Sequence, residues 1–439
     1  MEIFIKISQF LLSLSILVLL HELGHFMFAK LFKTKVEKFY LFFNPWFSIF
    51  KYKKGDTEYG LGWLPIGGYC KIAGMIDESM DTNALKEPPQ PWEFRSKPAW
   101  QRLLIISGGV IMNFLLALFL YSMVLFVWGK EYLPVKNATY GISADSLACQ
   151  AGFRNGDMIL SVDNKPVETF SDILHGLVLA EAKTVQVVRN AEKTEIEVPS
   201  WLIEKLIKSD KIAFISPRFP FIISDFVKNS AGKQAGLMTE DRIIGLNNDT
   251  VLFFDEFKTK IGTLKNQDAT VKVLRGNDTV SVNVHVPESG LLGIYPAGLN
   301  RFFKTEKQTF TLWQSIPAGI SEGFSTLGAY VSQFKLIFKH KGYESVGSFI
   351  SFTRIFPNQW DWQAFFTLTA FLSIILAFMN ILPIPALDGG FILFILYEVI
   401  MRRKPSDKFL EYAQMSGMML LFGLLLYATF NDIVRFVIN

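Results

Sequence analysis

The sequence predicts an α-helical polytopic membrane protein with four transmembrane helices, a membrane-associated β-hairpin and two inserted α+β domains. Three observations predict it. Half of the 439 residues are hydrophobic and only 19% are charged, whereas soluble domains carry about 25% charge. Four separate stretches are long and apolar enough to cross a hydrocarbon core, which takes about 20 residues. Between the second and the third lies a long polar insert that repeats itself. The same composition excludes disorder, a collagen-like chain and a coiled coil. Two cysteines, Cys70 and Cys149, exclude a disulfide scaffold and a Cys-rich zinc module. A net charge of +4 over this length offers no nucleic-acid face.

The first span, Ile7 to Ala29 within segment 1–34, carries His21, Glu22 and His25 in its second half. With Lys6 as its only basic flank and no A-x-A site after it, it reads as a retained helix rather than a signal peptide. A loop, 35–100, follows. Leu103 to Trp128 is the uncharged second span, in segment 101–130. Trp362 to Leu387 is the third and runs into Asp388; Phe391 to Ile400 is shorter, is expected to pack against the bundle, and completes segment 362–405. Ala413 to Phe430, within 408–437, is the fourth. Lys30, Lys33, Lys35 and Lys38 follow the first span, Arg95, Lys97 and Arg102 precede the second, and Arg402, Arg403, Lys404 and Lys408 join the last two. Excess Lys and Arg marks cytoplasmic loops. Both termini and the insert are therefore expected on the outer side of a cytoplasmic (inner) membrane, with the lipid bilayer as a partner.

Within the insert, Ser146-Leu-Ala-Cys-Gln-Ala-Gly152-Phe-Arg-Asn-Gly-Asp157-Met-Ile-Leu recurs as Ser230-Ala-Gly-Lys-Gln-Ala-Gly236-Leu-Met-Thr-Glu-Asp241-Arg-Ile-Ile. Each copy continues with a turn (Asp163-Asn164, Asn247-Asn248), a short helical stretch (Phe170 to Leu179, Phe254 to Leu264) and two alternating strands. At the A-G-(F/L)-x-x-G-D-x-I pattern the copies, 138–202 and 214–290, resemble PDZ domains in their permuted bacterial form. Glu240 stands where that pattern has Gly, so the turn there is expected to be distorted. Two readings stand: capture of peptide C-termini by strand addition, or a steric gate with no peptide ligand. The following segment, 300–361, is amphipathic from Thr311 to His340 and is expected on the outer surface.

His21-Glu22-Leu23-Gly24-His25 is an H-E-x-x-H sequence. Residues four apart share a helix face, so both imidazoles can reach one zinc ion while Glu22 faces a metal-bound water as general base. Inside a span these three groups are costly unless paired or metallated; a polar helix-packing triad is the bland alternative. Catalytic zinc takes a third protein ligand and keeps an open position. His175, His285 and His340 lie in the insert, so an acid at a membrane edge is expected, and Asp388 is the outstanding one. It closes Asn380-Ile-Leu-Pro383-Ile-Pro385-Ala-Leu387-Asp388-Gly389-Gly390, where two prolines break the helix and two glycines permit a sharp turn. The alternative is a simple N-cap for the helix that follows.

His21-Glu22-x-x-His25, Asn380-x-x-Pro383-x-x-x-Leu387-Asp388-Gly389 and the paired copies between spans two and three resemble the site-2 protease family, over nearly the whole chain. The resemblance implies one Zn2+ held by His21, His25 and Asp388, with Glu22 as the catalytic acid residue. It implies that Asn380 holds substrate or transition state, and that Gly109-x-x-x-Asn113 places Asn113 similarly; close helix packing through Gly108 and Gly109 is the other reading of that motif. Pro383 goes with the substrate-binding set. Gly60 to Lys71, with Gly67 and Gly68, resembles the family's glycine-rich segment that dips toward the membrane, and its alternation with Val36 to Phe50 predicts a hairpin whose edge pairs with an unwound substrate. Val346-Gly347-Ser348 and Phe391 depart from common family residues without touching a ligand. The expected activity is intramembrane cleavage of single-span proteins, anti-sigma factors after a first cut or remnant signal peptides. A catalytically idle PDZ scaffold, and a zincin acting on unfolded loops with Glu398 or Glu411 as third ligand, are the competing classes.

Overall fold

The computed structural model describes residues 2–65, 67–75, 88–208, 214–339 and 347–434; Ile66, His340 and Val346 lie outside them. The chain forms two compact units. One gathers the chain up to Gly129, Thr309–Phe334 and the C-terminal segment; the other is built on the insert Lys130–Gln308.

Helices α1 (Glu2–Leu31), α2 (Ala99–Val127), α3 (Leu312–Lys339, as far as Phe334), α4 (Phe349–Arg354), α5 (Trp362–Ile381), α6 (Asp388–Met401) and α7 (Asp407–Ile433) belong to the first unit. Of these, α1, α2, α5 and α7 are long and apolar enough to cross a membrane. The third apolar run extends to Leu387, but α5 stops at Ile381 and Leu382 is already extended (φ −60°, ψ 141°). Pro383 is the reason: it disfavours helical backbone in the residue before it and has no N–H to continue the ladder. Asp361 and Ser406 cap α5 and α7 by accepting from Ala364 N and Phe409 N, which fixes where each apolar run starts.

The α1–α2 crossing is built on glycine. A Cβ on Gly24 would stand 2.1 Å from the Gly108 carbonyl oxygen, and one on Gly108 2.6 Å from that of Gly24. Backbones this close leave no flexible neighbour to yield. Gly24→Ala is therefore expected to force the helices apart and cost about 1–3 kcal/mol, read as a lower thermal midpoint of the purified protein; an unchanged midpoint would refute the contact. Helix α3, the amphipathic segment expected at the outer surface, lies along α2 and α5. Gly319 fits beside Ser122, Gly323 beside Leu118, and Phe114 meets Phe324 while Tyr330 meets Phe371 and Phe378. Its opposite side leaves Trp313 80% exposed. At the far end of α7, buried Asp432 accepts from the backbone and hydroxyl groups of Ser348 and Ser351, which ties α7 to the start of α4.

The loop after α1 differs from the expected β-hairpin. It is a four-stranded mixed sheet, β1 (Val36–Leu41), β2 (Phe50–Lys54), β3 (Thr57–Leu61) and β4 (Tyr69–Ile72), in the order β2-β3-β1-β4. The hairpin proper is β2–β3, turned at Gly55 (φ +60°), while β1 pairs parallel with β3 and antiparallel with β4. Glycines explain the topology. Gly60 takes the Tyr40 ring where a Cβ would sit 2.1 Å away, and Gly62 approaches the Phe42 and Phe43 carbonyls, so β3 slides in beside β1. Strand β4 is left as an edge.

In the second unit the two copies fold alike. Strands Met158–Val162 and Arg242–Leu246 pair with the hairpins Thr184–Arg189/Glu192–Glu197 and Asp268–Arg275/Asp278–His285, over separate apolar cores. The repeated aspartate has a structural task. Asp157 accepts from Arg154 N and both arms of Arg189, and Asp241 from Met238 N and both arms of Arg275. Glu240, at φ +71°, keeps the turn rather than distorting it: its N–H bonds Ile223 O as Gly156 N–H bonds Ile142 O. Its carboxylate is gripped by the Arg301 guanidinium, which holds it below the usual carboxylate range. Each copy is closed by a strand past the boundary read from the sequence: Ile215–Pro217 pairs with Ile142–Ala144, and Ile294–Pro296 with Ile223–Phe226.

Candidate metal centre

Helix α1 sets His21 and His25 one turn apart, and the glycine crossing brings α2 against that same face. A Cβ on Gly109 would lie 2.4 Å from His21 Cε1 and 2.5 Å from His25 Nε2. Glycine is thus required at 109 to admit two imidazoles between the helices. Beyond Ile381 the chain turns through Pro383 and Pro385. Ala386 sits at φ +77°, a left-handed backbone that costs about 1–3 kcal/mol for a residue with a Cβ. The turn is held because Gly389 and Gly390 pack on the Leu382 and Ile384 carbonyls, and Gly417 of α7 on that of Pro385. Its product is Asp388, placed in the first turn of α6 with its carboxylate aimed back at α1. Leu387, not Asp388, is the N-cap, and it makes no side-chain capping bond.

Three donor atoms converge. His21 Nε2 and His25 Nε2 are 3.3 Å apart, and Asp388 Oδ2 stands 3.3 and 3.5 Å from them. Among the described residues this is the one group of three or more His, Cys, Asp or Glu side chains with metal-ligand spacing. Asp388 Oδ2 is buried and has no hydrogen-bond partner. Nitrogen and oxygen ligands about 2.0–2.2 Å from a tetrahedral zinc stand about 3.3–3.6 Å from each other, so the three atoms fit one ion. The outer nitrogens are also held: His25 Nδ1 lies 2.9 Å from Ile105 O and His21 Nδ1 3.4 Å from Asn113 Nδ2, the kind of contact that orients metal-binding imidazoles. Glu22 is not among the three donors; its carboxyl receives the Cys70 backbone N–H of β4.

Two cavities flank the donors. One, about 240 Å³, is lined by Gly67, Gly68, Asn113 and Asn380 together with His21, Glu22 and Asp388. Four residues of the expected substrate set therefore gather here, and Gly109 stands behind the imidazoles. Pro383 is not brought to either cavity; it is exposed and turns the chain. The other cavity, about 520 Å³, runs along β4 and is lined by Lys38, Asn44, Tyr69, Lys71 and Met75 besides His21, Glu22, His25 and Asp388. Lys38 and Asn44 were not singled out as site residues by the sequence. Only the strand alternation placing Lys38 on the same side of β1 as Tyr40 offered a signal. His175 and His285 belong to the other unit, the insert, where His285 pairs with Asp268.

Comparison with known proteins extends over the same residues. The model of peptidase family M50 matches residues 9–424. A Vibrio cholerae protein named "Putative zinc metalloprotease" is 29% identical over 97% of this chain and 98% of its own. A Haemophilus influenzae protein named "Regulator of sigma E protease" is 26% identical over 98% of this chain and 99% of its own.

Proposed function

The chain belongs to peptidase family M50, and from that premise we propose that it is a zinc endopeptidase that cuts single-span membrane proteins within their transmembrane segments. The observation that carries the reading is the convergence of His21, His25 and Asp388 among helices long and apolar enough to span a membrane. His21, His25 and Asp388 would hold the ion. Zinc in such a site lowers the pKa of bound water to about 7 and polarises a carbonyl.

The remaining chemistry belongs to the chain. Hydrolysis adds water across the amide; Glu22 takes one proton from the attacking water and delivers it to the leaving nitrogen as the C–N bond breaks. The Cys70 N–H fixes the carboxyl of Glu22 for that transfer. Asn113 acts as a positioning residue: its side-chain amide stands 3.4 Å from His21 Nδ1 and holds the far side of that imidazole ring. A peptide bond in a helix is closed to attack by its own hydrogen bonds. The edge of β4 beside the larger cavity, with Gly67 and Gly68 giving close backbone approach, receives the substrate unwound as an added strand, and Asn380 secures it from the smaller cavity.

The distribution of Lys and Arg supports cytoplasmic loops at 35–100 and 402–408, and an extracytoplasmic insert and termini in a multi-pass cytoplasmic membrane. The two copies in the insert act as PDZ-type domains that exclude substrates with an intact outer domain or take newly made C-termini. The relative named as a regulator of sigma E protease supports anti-sigma factors, already cut once, as the substrate class, with remnant signal peptides as a second source. The test is metal removal. A trimmed single-span substrate is cleaved by the purified protein in detergent, a zinc chelator stops cleavage, and added zinc restores it; cleavage that survives chelation refutes the reading.

A further inference from the structure

Away from the metal donors, where α2 begins, α6 ends and α7 begins, a cavity of about 130 Å³ opens between the helices. Its floor is apolar, with Phe391, Phe394, Ile395 and Leu410, and its wall carries Arg95, Arg102, Lys404 and Gln414 against a single carboxylate, Glu398. Arg102 is spoken for by Glu398 at 2.6 Å, and Arg95 by Glu93 at 2.6 Å. Two donors remain. Lys404 Nζ gives one hydrogen to the Arg95 carbonyl, 3.0 Å away, out of the three an ammonium carries. Gln414 is only 5% exposed, yet its amide nitrogen has no partner among the described residues. A buried donor without an acceptor is costly, the more so in a low dielectric, so this wall is built for an acceptor that the described residues do not supply.

The surroundings say what kind of acceptor. This end of the unit gathers cations: Lys97 Nζ reaches the Lys33 carbonyl as Lys404 reaches that of Arg95, and Arg402 and Arg403 follow at the end of α6. The apolar floor continues between α6 and α7, which meet edge-on at Phe394 and Phe409. A ligand with an anionic head at Lys404 and Gln414 and an apolar tail on that floor matches both parts. Cation-rich pockets between spanning helices select anionic headgroups. We propose that this cavity seats the phosphate of an anionic phospholipid, with its acyl chain lying between α6 and α7. The proposal rests on reading α2 and α7 as membrane spans and is independent of the metal site.

The full chain in nanodiscs of phosphatidylcholine, with and without a minor fraction of phosphatidylglycerol, tests it. Phosphatidylglycerol is expected to raise the thermal midpoint by about 2–4 °C and to be retained in native mass spectra. Lys404→Gln, a change at an exposed position, and Gln414→Leu each remove the gain, while substrate cleavage in phosphatidylcholine stays at the wild-type rate. Equal midpoints in the two membranes, or a gain that survives in both variants, overturn the proposal. A shift of the same size from soluble glycerol 3-phosphate overturns the lipid assignment in favour of a soluble phosphate ester.

Discussion

Glu22→Gln is expected to lower cleavage of a trimmed single-span substrate by about 10²–10⁴-fold while the zinc content stays at the wild-type level. The change is isosteric. Glutamine keeps a carbonyl oxygen for the Cys70 N–H that now meets the carboxyl, so the contact between α1 and β4 persists. None of the three converging donor atoms is touched, because the group consists of His21, His25 and Asp388. What disappears is, among the described residues that line the two cavities, the one carboxylate outside the donor group, able to accept a proton from water and return it to an amine; an amide does neither. Rate by substrate gel assay and zinc by atomic absorption are measured on the same preparation. Loss of rate with metal retained separates a general base from a structural acid, whereas undiminished cleavage by the Gln variant eliminates Glu22 from the chemistry. An idle scaffold would show no cleavage to lose, so the wild-type rate decides against that reading first.

The helical part of the fold was legible because apolar length and polar caps are local signals. Asp361, Ser406 and Pro383 each mark a helix boundary through chemistry confined to a few residues. The repeat was legible for the same reason: the aspartate, turn and alternating strands recur in order, and the Asp157–Arg189 and Asp241–Arg275 pairs explain why that aspartate is repeated. Three things were not legible. The mixed sheet depends on Gly60 and Gly62 admitting Tyr40 and the 42–43 backbone, contacts across about twenty positions that alternation cannot encode. The strands that close the two copies, Ile215–Pro217 and Ile294–Pro296, are three residues each, too short for a period to show. The need for glycine at 109 comes from imidazoles on another helix, so the motif alone left helix packing and a substrate-holding role equally open. The packing is what the structure shows: the close approach of α1 and α2 brings the histidines to their place.

Asp388→Asn is the second large effect, and it decides the identity of the third ligand. The variant is expected to lose stoichiometric zinc and, with it, cleavage. Asp388 Oδ2 is buried, lies 3.3 and 3.5 Å from two imidazole nitrogens and accepts no hydrogen bond. An anion so placed is stable only beside a cation; in the proposed site the imidazoles would be neutral, as metal-binding imidazoles are, and the ion would supply the positive charge. Asparagine removes the negative charge and presents either a weaker neutral oxygen or an NH₂ group with no lone pair to give. The competing acids that the sequence left available are Glu398 and Glu411, neither of which is in the converging group; Glu398 is the one beside a buried cation. Its carboxylate instead meets Arg102 at 2.6 Å, with both side chains largely buried. Glu398→Gln should therefore keep its zinc and its catalytic residues while losing about 3–5 kcal/mol of stability, because Arg102 is left buried and unpaired. The two variants thus fail differently, Asp388→Asn in metal content at a nearly unchanged thermal midpoint of the apo protein, Glu398→Gln in midpoint at full metal content. Zinc retained by Asp388→Asn, or lost from Glu398→Gln, reverses the assignment.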